Sequence, residues 1–381
     1  MSETLDLFTI IKKYKPMLRE SSVKNYLLSV NKLKKIYEID GYSDFVRKPK
    51  TIIKQLHKLK LSKNTEKNYT SAIINVIDAL NRHKIHGFTT KRFDNALKAY
   101  RKHIFDLKGM IDAELNDRDG AMTEKEKKNY ITLEDIGRVH TVYDTIVKQG
   151  DLLKRDPTEL TSIERDTIQK WVLTALYAYL PPVRNEYATL NVVDRNYVKV
   201  DGVWKWTSYW NNMERNENYI VFFQRNADSN KKINDGAIDI QLNQYKTSNK
   251  HGSRTLRIYE EGRVKYMEKE EDLLGPSKDI EHLWKVLWAW KDLFPTAKYI
   301  FLNKKGRQMT RNDMTKYLNR TFKILFPNKN ISSNILRKSY HSSKEKANPI
   351  KKQYKKNKII AESMGHTIDE AINTYTKDES K

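Results

Sequence analysis

Apolar positions recur every three or four residues through the first hundred residues of the chain. Between Ser22 and Leu33 they fall at Val23, Tyr26/Leu27, Val30 and Leu33. That stripe predicts an amphipathic helix, with Ser21 or Ser22 available to cap its first turn. Asn64-Thr65, followed by Tyr69, Ala72/Ile73, Val76/Ile77 and Leu80, predicts a second. Further on, Thr132 precedes the apolar-periodic Leu133–Ile136 run, and Thr161-Ser162-Ile163-Glu164 is a capping-box pattern opening another helix. That helix runs into the nearly apolar stretch Trp171–Val183, which holds Thr174, ends at Pro181-Pro182 and falls short of the ~18 residues that span a bilayer. It reads as a buried helix. From about Tyr197 to Tyr259 the period changes. Tyr219–Phe223 is a continuous apolar run, Ile238, Ile240 and Leu242 alternate with polar residues, and Thr255–Ile258 follows a turn-like Asn249-Lys250-His251-Gly252. Helical periodicity returns from about Asp279.

The pattern thus predicts a mainly α fold with a small antiparallel β-sheet (α+β). We read a helical domain over 1–106, a polar linker over 107–129 carrying Asp-Arg-Asp-Gly and Glu-Lys-Glu-Lys-Lys, and a second domain over 130–381. A chain of 381 residues is long enough for two or three domains.

Charge narrows the partners. Lys and Arg number 72 against 48 Asp and Glu, a net +24 that favours a polyanion, nucleic acid or an acidic membrane face, over a neutral partner. A generally basic surface in a lysine-rich proteome is the bland alternative. The absence of cysteine excludes disulfides, thiolate zinc sites and cysteine nucleophiles. Met1–Thr9 has acidic residues and no basic flank, so no secretory signal is expected, and the reading is of an intracellular protein.

Four segments then offer chemistry. Leu180-Pro181-Pro182-Val183-Arg184-Asn185-Glu186-Tyr187 places an arginine just after the buried helix. Tyr245-Lys246-Thr247 ends a strand before a polar turn. Asn334-Ile335-Leu336-Arg337-Lys338-Ser339-Tyr340 carries a second arginine in a helix-like run. Gly365-His366 is followed by Asn373-Thr374-Tyr375-Thr376. In this order the four resemble the catalytic domain of the tyrosine recombinases, the phage-integrase family, over roughly Thr132 to Lys381. The helical first part is similar in size and character to that family's core-binding (SAM-like) domain.

The resemblance implies a catalytic set. Arg184 matches the first arginine, Lys246 the hairpin lysine, Arg337 the second arginine, His366 the His/Trp position and Tyr375 the nucleophile. It implies cleavage and rejoining of double-stranded DNA through a 3′-phosphotyrosine, by a homotetramer assembled on two sites. The chemistry suits these residues. A phenol with a pKa near ~10 needs help to attack an anionic phosphodiester. Two guanidinium forks would grip the non-bridging oxygens and stabilise the added charge, and a lysine would protonate the departing 5′ oxygen. Bond energy kept in the ester removes any need for ATP, metal or other cofactor, in keeping with the lack of P-loop and HExxH patterns. Two positions depart from the family. Asn334 stands where His or Lys is usual three residues before the second arginine, and an amide cannot exchange a proton near neutral pH; His341, one turn beyond Arg337, is an auxiliary candidate. Glu186 follows Arg184 by two positions where the family's acid follows by three.

Singly, each of these residues has a plain reading. Tyr375 would pack with Ile368 and Ile372, His366 would cap a helix, and either arginine would pair with a carboxylate. His83 and His86 read as a surface loop, not a metal pair. The basic run Lys351–Lys358 reads as a solvated loop or a phosphate contact, and Trp284, Trp288 and Trp290 as helix core. Only the ordered set favours a recombinase or integrase, and Lys-, Asn- and Ile-rich usage points to an AT-rich genome such as that of a mobile element or virus. The alternatives are a type IB topoisomerase-like relaxation activity and a DNA-binding protein that has lost catalysis. A metal-dependent transposase fits less well.

Overall fold

A computed structural model describes the backbone at residues 6–39, 41–83, 89–117, 121–200, 203–206, 217–226, 232–233, 236–245, 248, 252–258, 264–266 and 278–346. The chain divides into two compact units, Met1–Met122 and Thr123–Lys381.

The first unit is helical: α1 (Leu7–Tyr14), α2 (Glu20–Ile36), α3 (Ser43–Arg47), α4 (Pro49–Lys58), α5 (Lys63–Arg82) and α6 (Thr90–Asp117). The stripe on α2 is buried at Val23, Val30 and Leu33, and that on α5 at Ala72, Ile73, Val76, Ile77 and Leu80. Around them pack Phe93, Ala96, Leu97 and Tyr100 of α6, the last donating its hydroxyl to the Phe45 carbonyl at 3.0 Å. Two ends differ from expectation. Helix α2 begins at Glu20, with Arg19 in the cap position and no side-chain cap, so Ser21 and Ser22 lie inside its first turn. An acidic residue opening a helix suits the partial positive charge of its first turn, which substitutes for the serine. Helix α5 is capped by Ser62, whose Oγ accepts from the Thr65 amide at 3.3 Å.

The stretch 107–129 is helical over most of its length. Helix α6 continues to Asp117, and α7 (Glu124–Asn129) opens on a reciprocal Thr123–Glu126 capping box. Charged residues at helical spacing solvate a helix as readily as a loop, and a polar composition does not separate the two.

In the second unit α8 (Leu133–Gln149) and α9 (Ser162–Tyr179) start at capping boxes made by Thr132 with Asp135 and Thr161 with Glu164. Helix α9 buries Ile168 and Trp171 through Tyr177. It stops at Tyr179 because Pro181 and Pro182 supply no N–H and push the preceding residues into extended backbone. There follow β1 (Leu190–Val200), β2 (Val203–Trp206), β3 (Asn218–Asn226), β4 (Lys232–Ile233), β5 (Ile238–Leu242), β6 (Arg254–Ile258) and β7 (Val264–Tyr266). Helices α10 (Lys278–Leu293), α11 (Arg311–Phe322) and α12 (Ser333–Lys346) complete the described chain.

The sheet order is β2-β1-β3-β5-β6-β7, with β4 paired to β3. The α+β class holds, but the sheet is mixed where an antiparallel one was expected, because β1 and β3 run parallel from Leu190↔Asn218 to Tyr197↔Arg225. The segment between them carries the β1–β2 hairpin and still returns the chain to the starting edge of β1, which a direct hairpin cannot do. Strand β5 also departs from its pattern. Its polar positions are covered as fully as its apolar ones, with Asp239 at 0 % and Gln241 at 5 % exposure. Asp239 stands opposite Arg257 on β6 and accepts a fork of two hydrogen bonds, Nε to Oδ1 and Nη2 to Oδ2, both 2.6 Å. The alternation marks which side meets the main core, and the other side is closed by charge pairing.

The main core joins α8, α9 and α10 to one face of the sheet. Trp284, Trp288 and Trp290 are buried in it as expected, and Trp284 and Trp288 both donate their indole N–H to the Gly236 carbonyl, at 3.0 and 3.1 Å. A Cβ at Gly236 would run into the Phe223 backbone, so only glycine fits there.

Candidate functional site

Arg184 follows directly from the way α9 ends. The extended segment after Leu180 turns back on the last turns of the helix, where the Tyr177 hydroxyl donates to the Arg184 carbonyl at 2.6 Å. Tyr177 is fully buried, with its ring edge-on to Tyr187 at 5.3 Å. Burial pushes its phenol far above the usual range, the nearby Glu186 carboxylate pushes it further, and the Arg337 guanidinium pulls it back in part. Arg337, far along the chain on α12, therefore acts electrostatically at the hydroxyl that holds the Arg184 backbone. Both arginine side chains are half-buried.

Neighbouring contacts fix this frame. Asn185 donates from Nδ2 to Thr315 Oγ1 of α11 at 2.7 Å, while its Oδ1 is buried and accepts nothing. Glu186, Tyr187 and Ala188 are buried in a short 3-10 turn before β1. Helix α12 is seated by Ile335 and Leu336 and by Ser339, whose hydroxyl donates to the Ile131 and Ile335 carbonyls. Just before it, the Asn330 amide donates to Asn129 Oδ1 at 2.7 Å, and Lys338 pairs with Glu126. Arg337 Nη1 donates to Asn334 Oδ1 at 3.2 Å, one turn back on the exposed face. With its oxygen so used, Asn334 keeps its amide N–H groups for another acceptor. His341 is exposed, with its ring edge-on to Tyr340 at 6.1 Å.

The β5–β6 connection is anchored just before Lys246. Asn218 Oδ1 accepts from the Gln244 amide at 2.8 Å, and Asn218 Nδ2 and Arg311 Nη2 both donate to the Gln244 carbonyl, at 3.2 and 2.6 Å. Tyr245 buries its ring and donates to the Gly252 carbonyl at 2.8 Å. Lys246, His366 and Tyr375 themselves lie outside the described residues. Of the expected set, then, Arg184 and Arg337 both bear on Tyr177, Asn334 touches Arg337, and His341 follows Arg337 one turn on along the same helix. Tyr177, Gln244 and Arg311 were not marked in the sequence. A tyrosine inside an apolar helical run gives no sign that its hydroxyl holds a backbone carbonyl two prolines later.

Tyr177 is bonded to one arginine segment and feels the charge of the other, yet it is unsuited to attack. Its proton is held by burial and committed to a carbonyl, so it is a fixed donor. Elsewhere, His57 Nδ1 and His103 Nε2 both face Glu66 Oε1, at 2.9 and 3.0 Å. That buried carboxylate oxygen is saturated by two imidazole N–H groups. His83 ends α5, with its ring edge-on to Tyr14 at 6.5 Å, and His86 is outside the described residues.

No family model matches the chain, and no curated protein or solved structure is similar to it. Among the described residues no helix is long and apolar enough to cross a membrane.

Proposed function

We propose that the protein is a site-specific DNA recombinase or integrase that cuts and rejoins strands through a phosphotyrosine at Tyr375. The observation that carries the reading is that the buried Tyr177 hydroxyl, bonded to the Arg184 carbonyl, also feels the charge of the sequence-remote Arg337. Two half-buried arginines, in a chain of net charge +24, are suited to the phosphates of duplex DNA.

In this reading Arg184 and Arg337 hold the non-bridging oxygens, with Asn334 supplying an amide donor beside Arg337 and His366 a further one. The Tyr375 oxygen attacks phosphorus, the bond from phosphorus to the 5′ oxygen breaks, and Lys246 gives that oxygen its proton. The reverse attack by a 5′ hydroxyl rejoins a strand, and four protomers on two sites exchange partners. The clamp on Gln244 keeps the origin of the lysine-bearing connection fixed while the residues beyond it reach the DNA.

The decisive experiment incubates the full chain and its Tyr375→Phe variant with a nicked suicide duplex containing its target. Wild type gives a covalent protein–DNA adduct stable to denaturant, and the variant gives none. An adduct with the variant moves the nucleophile elsewhere. Salt-dependent binding without any adduct from wild type leaves a DNA-binding protein without catalysis, the reading that Asn334 favours. Relaxation of supercoiled plasmid without paired sites would indicate a topoisomerase.

A further inference from the structure

We propose that His140, Asp144 and His282 bind one first-row divalent cation of the zinc class, through two imidazole nitrogens and one carboxylate oxygen. The site lies in the second unit, where α8 supplies His140 and Asp144 and α10 supplies His282. It belongs to neither arginine segment and is independent of the recombinase reading.

The proton inventory comes first. Thr174 has one hydroxyl proton, and its Oγ lies 2.8 Å from the Lys170 carbonyl and 3.0 Å from the Trp171 carbonyl, groups that can only accept. The same Oγ lies 3.1 Å from His140 Nδ1, so it must accept the Nδ1–H. His140 Nε2 therefore presents a lone pair. It faces His282 Nε2 at 3.0 Å. Two imidazole nitrogens aimed at each other have room for one proton or one cation between them.

The distances also suit a cation. Tetrahedral zinc with bonds of about 2.0–2.1 Å sets two nitrogen ligands about 3.3 Å apart, close to the spacing here. Asp144 Oδ1 lies 3.9 Å from His282 Nε2, and all three ligand atoms fall within 4.8 Å of one another. A side-chain adjustment of about 0.6 Å would bring Asp144 Oδ1 and His282 Nε2 from 3.9 Å to ligand spacing.

Supporting contacts orient His140 and Asp144. Thr174 fixes the His140 tautomer. Trp171 Nε1 donates to Asp144 Oδ1 at 2.9 Å, and Lys148 takes Oδ2 at 2.6 Å, leaving a lone pair of Oδ1 toward the histidines. Tyr179 packs edge-on against both imidazoles, at 5.3 and 5.6 Å. Such outer contacts orient ligands in metal sites. His140 is 1 % exposed, and burial together with the neighbouring His282 pulls its pKa down to about 4, so it is neutral and ligand-competent at neutral pH. His282, with a third of its side chain exposed, gives the ion a way in. The His57–Glu66–His103 cluster lacks this logic, since both imidazoles there turn nitrogens to one carboxylate oxygen and not to each other.

The test is zinc titration by calorimetry of the full chain, stripped with chelator and dialysed, followed by thermal unfolding with and without zinc. Wild type should bind one equivalent and gain melting temperature. His282→Gln should bind at least about tenfold more weakly and lose the gain, and Thr174→Val should weaken binding about tenfold by freeing the tautomer. His282 is partly exposed, so its variant should melt near wild type without metal, separating lost binding from lost folding. Double substitution of His57 and His103 by Gln should leave the tight equivalent intact. No saturable zinc binding by wild type, equal binding by His282→Gln, or loss of the equivalent in the His57/His103 variant would each overturn the assignment.

Discussion

Substituting Tyr177 by Phe isolates the contact on which the arginine frame rests. The ring keeps its packing against Tyr187, and only the 2.6 Å bond to the Arg184 carbonyl is removed. A neutral hydrogen bond contributes about 0.5–1.5 kcal/mol net, and a carbonyl left unmet away from water costs about 1–3 kcal/mol. Arg184 is only half-buried, so water can recover part of that, and a loss of about 1–2 kcal/mol is expected. For a unit of this size, that lowers the melting temperature by about 2–8 °C. Chemistry should suffer more than stability, because the released backbone carries Arg184 away from the place set for it, and a displacement near 1 Å can cost about 100-fold. The assays are urea unfolding of the full chain and adduct formation on the suicide duplex, at a temperature where the variant is fully folded. A folded variant that forms adduct at the wild-type rate would refute the claim that Tyr177 positions Arg184. Unchanged stability would refute the hydrogen bond itself.

Other perturbations test separate parts. Arg337→Ala should reduce adduct formation by about 100- to 1,000-fold while leaving DNA retention in a filter assay within a few-fold of wild type. Asp239→Ala leaves Arg257 without its carboxylate inside the sheet and should destabilise the chain by about 2–4 kcal/mol, read by urea unfolding; a loss under about 1 kcal/mol would mean that solvent reaches that face. Burial, with help from Asp166, pushes the Tyr143 hydroxyl up to about 12. The unfolded chain then gives up this proton near pH ~10 and the folded one does not, so stability falls as pH rises through that window. Tyr143→Phe should make the decline shallower by one proton, and an unchanged slope would contradict the burial.

Much of the helical scaffold was legible because its signals are local. Thr132 and Thr161 cap helices where their sequence neighbours say they should, the double proline ends α9, and Val23, Val30 and Leu33 lie buried on one face of α2. What escaped depends on partners distant in sequence. The burial of Asp239 needs Arg257 across the hairpin, and the parallel β1–β3 pairing needs the excursion between them. At the candidate site the two arginines were marked by sequence context, whereas the phenol that relates them was not. Its role is visible only once the chain has doubled back past the prolines.

The doubly used carbonyl of Gly236 bears on how α10 can move. Trp284 and Trp288 stand one turn apart, so a slide of about 5.4 Å would bring one indole to where the other was. The residue arriving at the vacated place would be Ile280 in one direction and Asp292 in the other. Isoleucine has no hydrogen to offer, and an ionised aspartate would confront a carbonyl oxygen with like charge. The helix is therefore keyed against ratcheting either way, and any rearrangement of this unit must rotate helix and strand as one piece or leave the key in its slot.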